Sequence, residues 1–301
     1  MSIFVCGSLH LDVIVNAPHL PRVDETVVGD RVAYAFGGKG GNQAVAAARM
    51  GAATAMAGSV GDDAFGAQLL AGLDAAAVDR AQVRLDPGAS GMSVAVVGPD
   101  GGYGAIIVSG ANLHIDASSV HVPDGTRVVL LQNEIPEAVN LAVARLARSE
   151  GAEVILNAAP ARMVAPALLA LIDVLVVNRI EAADLLGLSE TALDLTQAAK
   201  DLSAFGPRSC LITLGADGLM LAEHGRVAAL PAHPVEVVST HGAGDAFLGA
   251  LAAERARGTD FAEAVRFGQA AAALHVSTRI KARAMLDADQ VRAFLRLSTL
   301  R

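Results

Sequence analysis

Tryptophan is absent from the chain, and aromatic residues make up only 3% of its 301 residues. Hydrophobic residues nevertheless account for 53%, and many of them are alanine, valine and leucine. A chain this long and this apolar is not disordered and can bury a substantial core. We therefore expect a single domain over residues 1–301, which is an ordinary size for one large α/β enzyme.

Cysteine is almost as scarce, with only Cys6 and Cys210 present. Both lie in apolar runs, which predicts buried core thiols. Two cysteines in a chain of this length exclude a disulfide framework and a cysteine metal site. The histidines show no ligand spacing either, so we expect them to be structural or surface residues.

Positive charge is sparse and scattered. The formal net charge is -8 and no basic run occurs, which argues against nucleic-acid binding. Lysine occurs only at Lys39, Lys200 and Lys281, and Lys39 alone stands inside a glycine cluster. No basic segment followed by an apolar stretch marks a secretory signal, and the longest apolar runs are too short to span a bilayer. We expect a cytoplasmic protein.

Short apolar segments alternate with longer helical patterns. Nearly all-apolar strands separated by helices predict a parallel sheet covered on both faces, with ligands at the carboxyl ends of the strands. Strands are predicted at Ser2–Cys6, Val128–Gln132, Val154–Asn157, Val174–Val177 and Ser209–Leu214. Helices are predicted at Gly41–Met50, Phe65–Ala77, Ala138–Glu150, Ala165–Leu171, Ile180–Leu186, Thr196–Phe205 and Gly244–Arg257.

Residues 13–36 and 91–108 break this alternation, because they show strands and turns without helices. In the second segment, residues 98–102 have the composition of a hairpin turn. We expect a small β-sheet beside the main domain. It would act as a lid or, alternatively, form an ordinary hairpin without a moving role.

The segment GAGD at residues 242–245 follows an apolar run and opens a helix. A helix start offers unpaired backbone N–H groups and the positive end of a dipole, so it attracts anions. Gly242 and Gly244 allow close approach of a ligand to the backbone, and Asp245 lies in the first turn. Taken alone, Asp245 is better explained as a carboxylate that only complements the helix dipole, and it is the other segments that favour a catalytic role.

A second glycine-rich segment, GGKGGNQA, occupies residues 37–44 before an alanine-rich helix. Clustered glycines are costly unless the backbone turns sharply or approaches a ligand. The amide of Asn42 suits a hydroxylated substrate. The spacing is neither that of a P-loop nor that of a dinucleotide fingerprint.

Two further segments follow predicted strands. Asn178 and Glu181 carry oxygen atoms suited to Mg²⁺ or its water shell, although for this segment by itself a capping asparagine with a helix-start glutamate is the better explanation. The glycines of TLGADG at residues 213–218 could accommodate a nucleotide or form a plain turn. Asp12, in a strand-like context, and Glu134, after a strand, are candidates for binding sugar hydroxyls.

These segments, taken in order, resemble the ribokinase-like (phosphofructokinase-B type) family of carbohydrate kinases over nearly the whole chain. The segments GAN (110–112), QNE (132–134), LNAAPAR (156–162) and NRIE (178–181) add to the two glycine motifs. The resemblance implies a Rossmann-like α/β/α sandwich with a small β-sheet lid that often serves as a dimer interface. It also implies transfer of the γ-phosphoryl group of ATP, with Mg²⁺, to a hydroxymethyl group.

The resemblance also implies roles for individual residues. Asp245 would be the catalytic base, and the N–H groups of residues 242–244 would stabilise the developing phosphoryl charge. The remaining roles are sugar binding by Asp12, Gly38, Lys39, Asn42, Asn112 and Glu134, nucleotide binding by Asn178, Thr213, Gly215, Gly218, Gly244 and Gln269, and Mg²⁺ binding through water by Glu181.

The chain departs from the family at three places. Ser239 stands where members have an aspartate that helps to hold a monovalent cation. Residues 277–283 lack the glycine-containing loop that completes that site, and Arg279 or Lys281 would supply positive charge instead. Gln269 replaces a histidine near the adenine. We therefore expect little or no activation by K⁺.

Three functions remain open from the sequence. The leading one is a kinase for ribose or a similar sugar. A nucleoside kinase, including a pseudouridine kinase, is the second, since Tyr34 and Tyr103 in the expected lid could stack on a base. The third is a catalytically inactive sugar-binding regulator, against which the retained Asp245 and glycine motifs argue.

Overall fold

The computed structural model describes residues 2–97 and 103–298. Within these ranges the strands form two separate sheets. The strands are β1 (Ile3–Cys6), β2 (His10–Asn16), β3 (Arg31–Gly37), β4 (Thr54–Gly61), β5 (Asp79–Asp86), β6 (Gly91–Val97), β7 (Tyr103–Val108), β8 (Val128–Gln132), β9 (Glu153–Asn157), β10 (Val174–Asn178), β11 (Ser209–Thr213), β12 (Leu219–Glu223) and β13 (Arg226–Leu230).

The helices follow the strands in the alternation that the sequence predicts. They are α1 (Lys39–Arg49), α2 (Ala64–Ala75), α3 (Glu137–Ser149), α4 (Pro166–Leu169), α5 (Arg179–Leu186), α6 (Leu195–Ala204), α7 (Ala243–Arg257), α8 (Phe261–Ser277) and α9 (Ala288–Ser298). A short 3₁₀ segment at Ile280–Met285 connects α8 to α9. In the described ranges no helix is both long and apolar enough to cross a membrane.

The large sheet has nine strands in the order β13-β12-β11-β10-β9-β8-β1-β4-β5. The strands from β11 to β5 pair in parallel, whereas β12 and β13 extend that edge as antiparallel strands. Parallel strands need helical crossovers, and these cover both faces. The expected three-layer α/β/α architecture is confirmed.

Strand β1 shows how the two layers of core are divided. Ile3 and Val5 belong to one buried cluster, which they share with side chains of α1, α2, α7, α8 and α9. Phe4 and Cys6 point to the opposite face, into a second cluster with α3, α4, α5 and α6. This alternation follows from the two-residue period of a strand. Cys6 and Cys210 are free and buried, as predicted, and burial raises the pKa of each thiol to about 12.

The second sheet contains four strands in the order β3-β2-β6-β7. It is built from the two segments that break the helical alternation, so the expectation of a small additional β-sheet is confirmed. Strand β2 pairs antiparallel with β3 and parallel with β6. Residues 17–30 carry no regular strand, and the hairpin turn predicted at residues 98–102 lies outside the described residues.

Several boundaries differ from those predicted. Helix α1 begins at Lys39 rather than Gly41, so Lys39 belongs to its first turn and not to a preceding loop. A side chain at Gly40 would come within 2.6 Å of the backbone of Gly7, which explains why glycine continues into the helix. Helix α4 covers only Pro166–Leu169, and β11 ends at Thr213.

Candidate active site

A cavity of about 280 Å³ lies at the carboxyl ends of the parallel strands. Asn157, Asn178 and Thr213 enter it from the ends of β9, β10 and β11, and the first turn of α7 lies across from them. Lys39 also lines the cavity, from the start of α1. Polar side chains from three neighbouring strands thus meet two helix N-termini, as expected for a ligand site on such a sheet.

Helix α7 begins with an open N-terminus. Gly242 takes a left-handed conformation with φ of 76°, which favours glycine and turns the chain directly into the helix. No side chain caps this end, and a side chain at Gly244 would meet only open space. Of the amides at this helix start, that of Ala243 donates to the carbonyl of Thr240. The helix dipole and the neighbouring amides can receive an anion that enters the cavity.

Asp245 occupies the first turn of α7, and two amide side chains from α1 hold its carboxylate. Nδ2 of Asn42 donates to Oδ2 at 3.2 Å, and Nε2 of Gln43 donates to Oδ1 at 3.0 Å. Burial raises the pKa of Asp245, while the charge of Lys39 and these two hydrogen bonds oppose the increase. The carboxylate is oriented and lines the cavity.

Lys39 brings the cation of the glycine segment to the centre of the site. Its charge lowers the pKa of both Asp245 and Glu181, so one cation favours the ionised form of both carboxyl groups. Its backbone N–H donates to Oε2 of Glu134 at 2.8 Å, and Ser8 donates to the same oxygen. Glu134 therefore anchors the start of α1 directly beneath the site.

Asn178 and Glu181 form a complete capping box at the start of α5. Oδ1 of Asn178 accepts from the N–H of Glu181 at 2.8 Å, and Oε2 of Glu181 accepts from the N–H of Asn178 at 2.7 Å. The capping alternative from the sequence is thus realised, yet both residues also line the cavity. Burial raises the pKa of Glu181.

Asp12 reaches towards the site from the small sheet. It is buried on β2, where Ser93 donates a hydrogen bond to its Oδ1, and Nε2 of His241 lies 3.6 Å from its Oδ2. The hydrogen bond to Asp12 raises the pKa of His241, against the effect of burial. This pair connects the small sheet to the loop that precedes α7.

Eight of the candidate residues are not among those that line the cavity. Asp12, Gly38, Asn42 and Glu134 lie close to residues that do, whereas the other four are held elsewhere. Asn112 is fully buried, and its amide bonds to the backbone N–H and C=O of Leu9 and to the C=O of Ser109. Its polar atoms are thus occupied structurally, which does not support direct contact with a sugar. Gly215, Gly218 and Gln269 also lie outside the cavity lining, and Gln269 instead donates to the carbonyls of Leu230 and Pro231.

The glycine at position 218 has a structural cause. It adopts φ of 91°, and a side chain there would come within 2.7 Å of the backbone nitrogen of Ala232. The segment after Thr213 is a 3₁₀ turn into β12, which is the plain-turn alternative. Of the residues predicted for the nucleotide, Asn178, Thr213 and Gly244 are the ones that line the cavity.

Sequence reasoning missed three residues that shape this site. Gln43 holds Asp245, His241 faces Asp12, and Arg283 is buried behind the loop that leads into α7. Arg279 and Lys281, the side chains expected to bring positive charge there, are exposed. Only Gln43 had a local signal, because it belongs to the glycine segment.

Oriented Asp245 beside open helix amides and a lysine is suited to removing a proton from an acceptor while an anionic group is held close by. This combination is typical of small-molecule kinases, in which positioning and charge stabilisation supply most of the catalysis. The family model for pfkB family carbohydrate kinases matches residues 1–286, and the chain belongs to that family.

Individual relatives agree with this family. The chain is 34% identical over 284 residues to the ribokinase of Haemophilus influenzae, covering 91% of this chain and 92% of the relative. It is 34% identical over 279 residues to the ribokinase of Bacillus subtilis, again covering 91% and 92%. The structure of Arabidopsis thaliana ribokinase complexed with ribose and ATP superposes with a TM-score of 0.86 at 31% identity, covering 98% of both chains.

Proposed function

We propose that this protein is a ribokinase, which transfers the γ-phosphoryl group of ATP to the hydroxymethyl group of ribose. Its membership of the carbohydrate kinase family and its similarity to curated ribokinases support the sugar and the donor. The observation that carries the proposal is the placement of Asp245 beside the open N-terminus of α7, inside the cavity.

In this proposal Asp245 accepts the proton of the attacking hydroxyl. The sugar oxygen forms a bond to the γ-phosphorus as the bond from phosphorus to the bridging oxygen breaks, and ADP leaves. The amides of Gly242, Ala243 and Gly244 stabilise the developing charge. Asn42 and Gln43 keep the carboxylate aimed, since Asp245 is their shared acceptor.

The remaining polar residues bind the two substrates. Asp12, Lys39 and Asn42, with the backbone of Gly38, bind the sugar hydroxyls, and Glu134 supports them from below through Lys39. On the opposite side of the cavity, Asn178 and Thr213 bind the nucleotide. Gly215, Gly218 and Gln269 remain predictions for the outer part of the nucleotide, beyond the cavity.

Mg²⁺ is proposed to bind near Glu181. Within the described ranges no group of three or more histidine, cysteine or acidic side chains is arranged to hold a metal, so an all-protein cage does not fit. Glu181 and Asn178 line the cavity, and their oxygen atoms suit a Mg²⁺ ion that keeps its waters and is carried by phosphate groups. When bound, the ion would neutralise phosphate charge.

K⁺ is not proposed as an activator. Ser239 offers no carboxylate, and its side-chain oxygen instead lies 3.4 Å from the N–H of His241, within reach of a hydrogen bond. Without a carboxylate, much of the attraction for a monovalent cation is lost. A many-fold rise in turnover when K⁺ replaces Na⁺ at constant ionic strength would contradict this part of the proposal.

The small sheet is proposed to act as a lid and as the interface of a homodimer in the cytoplasm. Val32, Tyr34 and Ile106 are each more than half exposed and lie on the same face of this sheet, the face opposite to that of Asp12. A second copy of the chain would cover them. Sedimentation of the wild type and of Ile106→Glu, expected to be dimeric and monomeric respectively, tests the assignment.

A panel of pentoses, hexoses and nucleosides with MgATP tests the activity, using the wild type and Asp245→Asn. We expect ribose to give the highest kcat/KM and Asp245→Asn to lose at least about 100-fold in kcat with little change in the KM for the sugar. A preference for pseudouridine or another nucleoside would replace ribose as the substrate. Absence of turnover with every acceptor would contradict the kinase activity.

A further inference from the structure

Arg283 is buried, with only 7% of its surface exposed, within the 3₁₀ segment Ile280–Met285. Its guanidinium donates from Nη2 to the carbonyl of Ser239 at 2.7 Å, from Nη1 to that of His241 at 2.9 Å and from Nε to that of Thr278 at 3.1 Å. Nη1 also lies 3.0 Å from Nε2 of His275. This imidazole nitrogen also lies 2.9 Å from the carbonyl of His241, so the imidazole and the guanidinium approach the same oxygen. The acceptors of Arg283 are thus three backbone carbonyls, and a carboxylate is not among them.

A buried cation whose only partners are carbonyl dipoles is costly, because moving an ion from water into a protein interior carries a large desolvation free energy. Such a residue is poorly explained as a source of stability alone. The fixed, planar fork of donors in arginine is, however, well suited to fixing several acceptors in one geometry. The groups that Arg283 holds in place therefore indicate its role.

Two of its acceptors belong to the loop at residues 239–242, which leads directly into α7. His241 is the last residue before Gly242, and the first-turn amide of Ala243 donates to the carbonyl of Thr240 at 3.1 Å. Arg283 thus forms hydrogen bonds with the loop on both sides of Thr240. Any movement of this loop would carry the open amides and Asp245 with it.

The upstream part of the same loop has a separate anchor. The N–H groups of Val238 and Ser239 both donate to the carbonyl of Val276, at 2.8 and 3.2 Å. The imidazole of His275, also on α8, approaches the carbonyl of His241 as well. Removal of Arg283 would therefore leave the loop attached to α8 at Val238, at Ser239 and through His275, while the carbonyl of Ser239 would lose its guanidinium donor and that of His241 would keep only the imidazole. The consequence falls on the start of α7 rather than on the fold as a whole.

We propose that Arg283 is a positioning residue for phosphoryl transfer, acting as a permanent internal cation that locks the loop Ser239–Gly242 and so sets the place of the α7 amides and Asp245. The inference rests on the proposed function only for its effect on kcat. Its structural content, that Arg283 controls the order of this loop, stands independently and has a separate readout.

The test compares Arg283→Met with Arg255→Met. Arg255 is the control, because it is also an arginine that is largely shielded from solvent, donates to Glu153 and to the carbonyl of Thr259, and lies at the far end of α7. We expect Arg283→Met to lower kcat about 10- to 100-fold with a smaller change in the KM for the sugar, since small displacements of catalytic groups have effects of this size. Arg255→Met should lower the melting temperature without this loss in kcat.

Chemical rescue separates positioning from general damage. In Arg283→Ala the side chain is truncated at Cβ, so the carbonyls of Ser239, His241 and Thr278 lose their donors and the volume of the guanidinium group is vacated. Added guanidinium chloride, at concentrations that leave the wild type folded, should then raise kcat several-fold as the lost donors are replaced. The wild type and Arg255→Ala should show no increase. An Arg283→Met enzyme with wild-type kcat, or an Arg283→Ala enzyme that guanidinium does not stimulate, overturns the proposal.

Amide hydrogen exchange gives a readout that does not depend on turnover. Protection of the Ala243 amide should fall in Arg283→Met and stay unchanged in Arg255→Met, whichever acceptor the wild type phosphorylates. Unchanged protection in both variants would overturn the inference even if the sugar kinase activity is confirmed. Should Arg283→Met fail to fold, Arg283→Lys keeps a charge but loses the fork, and the same loss of protection and of kcat is expected for it.

Discussion

The side-chain amide of Gln43 lies between Asp245 and Gln132. Its Nε2 donates to Oδ1 of Asp245 at 3.0 Å, and its Oε1 accepts from Nε2 of Gln132 at 2.8 Å. Because Gln43 and Gln132 are fully buried, the amide cannot rotate without losing both bonds in a dry environment. Gln43 therefore fixes the direction of the carboxylate and, by donating to its charged form, lowers the pKa of Asp245.

Replacement of Gln43 by methionine should shift the pH dependence of catalysis. Asp245 must be ionised to accept a proton, so activity is lost as the pH falls through its pKa. Loss of the Gln43 hydrogen bond raises that pKa, and the acidic limb of kcat/KM should move to higher pH. The stranded donor of Gln132 should cost about 1–3 kcal/mol of stability. An acidic limb at the wild-type position would contradict this assignment.

Lys39→Met should remove the cation that acts on both carboxyl groups of the cavity. We expect kcat/KM to fall about 100-fold, because a charged group aimed at developing charge is lost. The acidic limb of the pH profile should also move to higher pH, since the charge of Lys39 lowers the pKa of Asp245. Lys200→Met, on the exposed face of α6, is the matched control and should behave as the wild type.

The parts of the site that the sequence predicts are those that lie at the ends of strands and at the start of a helix, because these positions can be recognised from a short stretch of sequence. Asn178 and Thr213 end apolar strands, and such strand ends must meet at one edge of a parallel sheet. Gly242 and Asp245 open a helix, so their chemistry follows from the helix terminus itself. The sequence did not predict that Lys39 belongs to a helix, because α1 begins within the glycine cluster and not after it.

The missed features depend on contacts that no local pattern reveals. Arg283 meets Ser239 across 44 positions of the chain, and Gln43 meets Asp245 across 202. Strand β4 was not predicted because its eight residues are buried on both faces and include several small side chains without alternation. Helix α8 was not predicted either, since its alanine-rich run is buried over much of its surface and lacks a clear polar face.

The pairing of His241 with Asp12 should be visible in a proton titration. The hydrogen bond to Asp12 raises the pKa of His241, so its titration midpoint should fall in Asp12→Asn while the other histidines titrate as before. The pairing stabilises the fold fully below the ordinary histidine pKa of about 6.5 and is lost as the pH rises through the raised value. Because His241 is largely exposed, this contribution should stay below about 1 kcal/mol. NMR of the imidazole protons measures the midpoint, and an identical midpoint in both proteins would exclude the pair.

Packing between α1 and α7 should couple stability to catalysis through Gly249. A side chain there would come within 2.6 Å of the backbone nitrogen of Ala47, so the two helices approach each other through glycine. Asp245 lies one turn before Gly249 on α7, and Gln43 lies one turn before Ala47 on α1. A larger side chain at Gly249 would therefore push apart α1 and α7. Helix α7 carries Asp245, and α1 carries the side chains that donate hydrogen bonds to it.

Gly249→Ala should accordingly lower stability by about 1–3 kcal/mol through overpacking and should also reduce kcat. Gly151→Ala provides the control, because Gly151 has φ of 73° in open space beyond α3, so alanine there strains the backbone without displacing a helix. Urea unfolding and steady-state kinetics should then separate the two variants: both lose stability, but only Gly249→Ala loses turnover. Equal kcat values in the two variants would show that the α1–α7 contact supports the fold alone. A loss of kcat in Gly249→Ala only would show that this helix contact, one turn from Asp245, controls the geometry of the carboxylate.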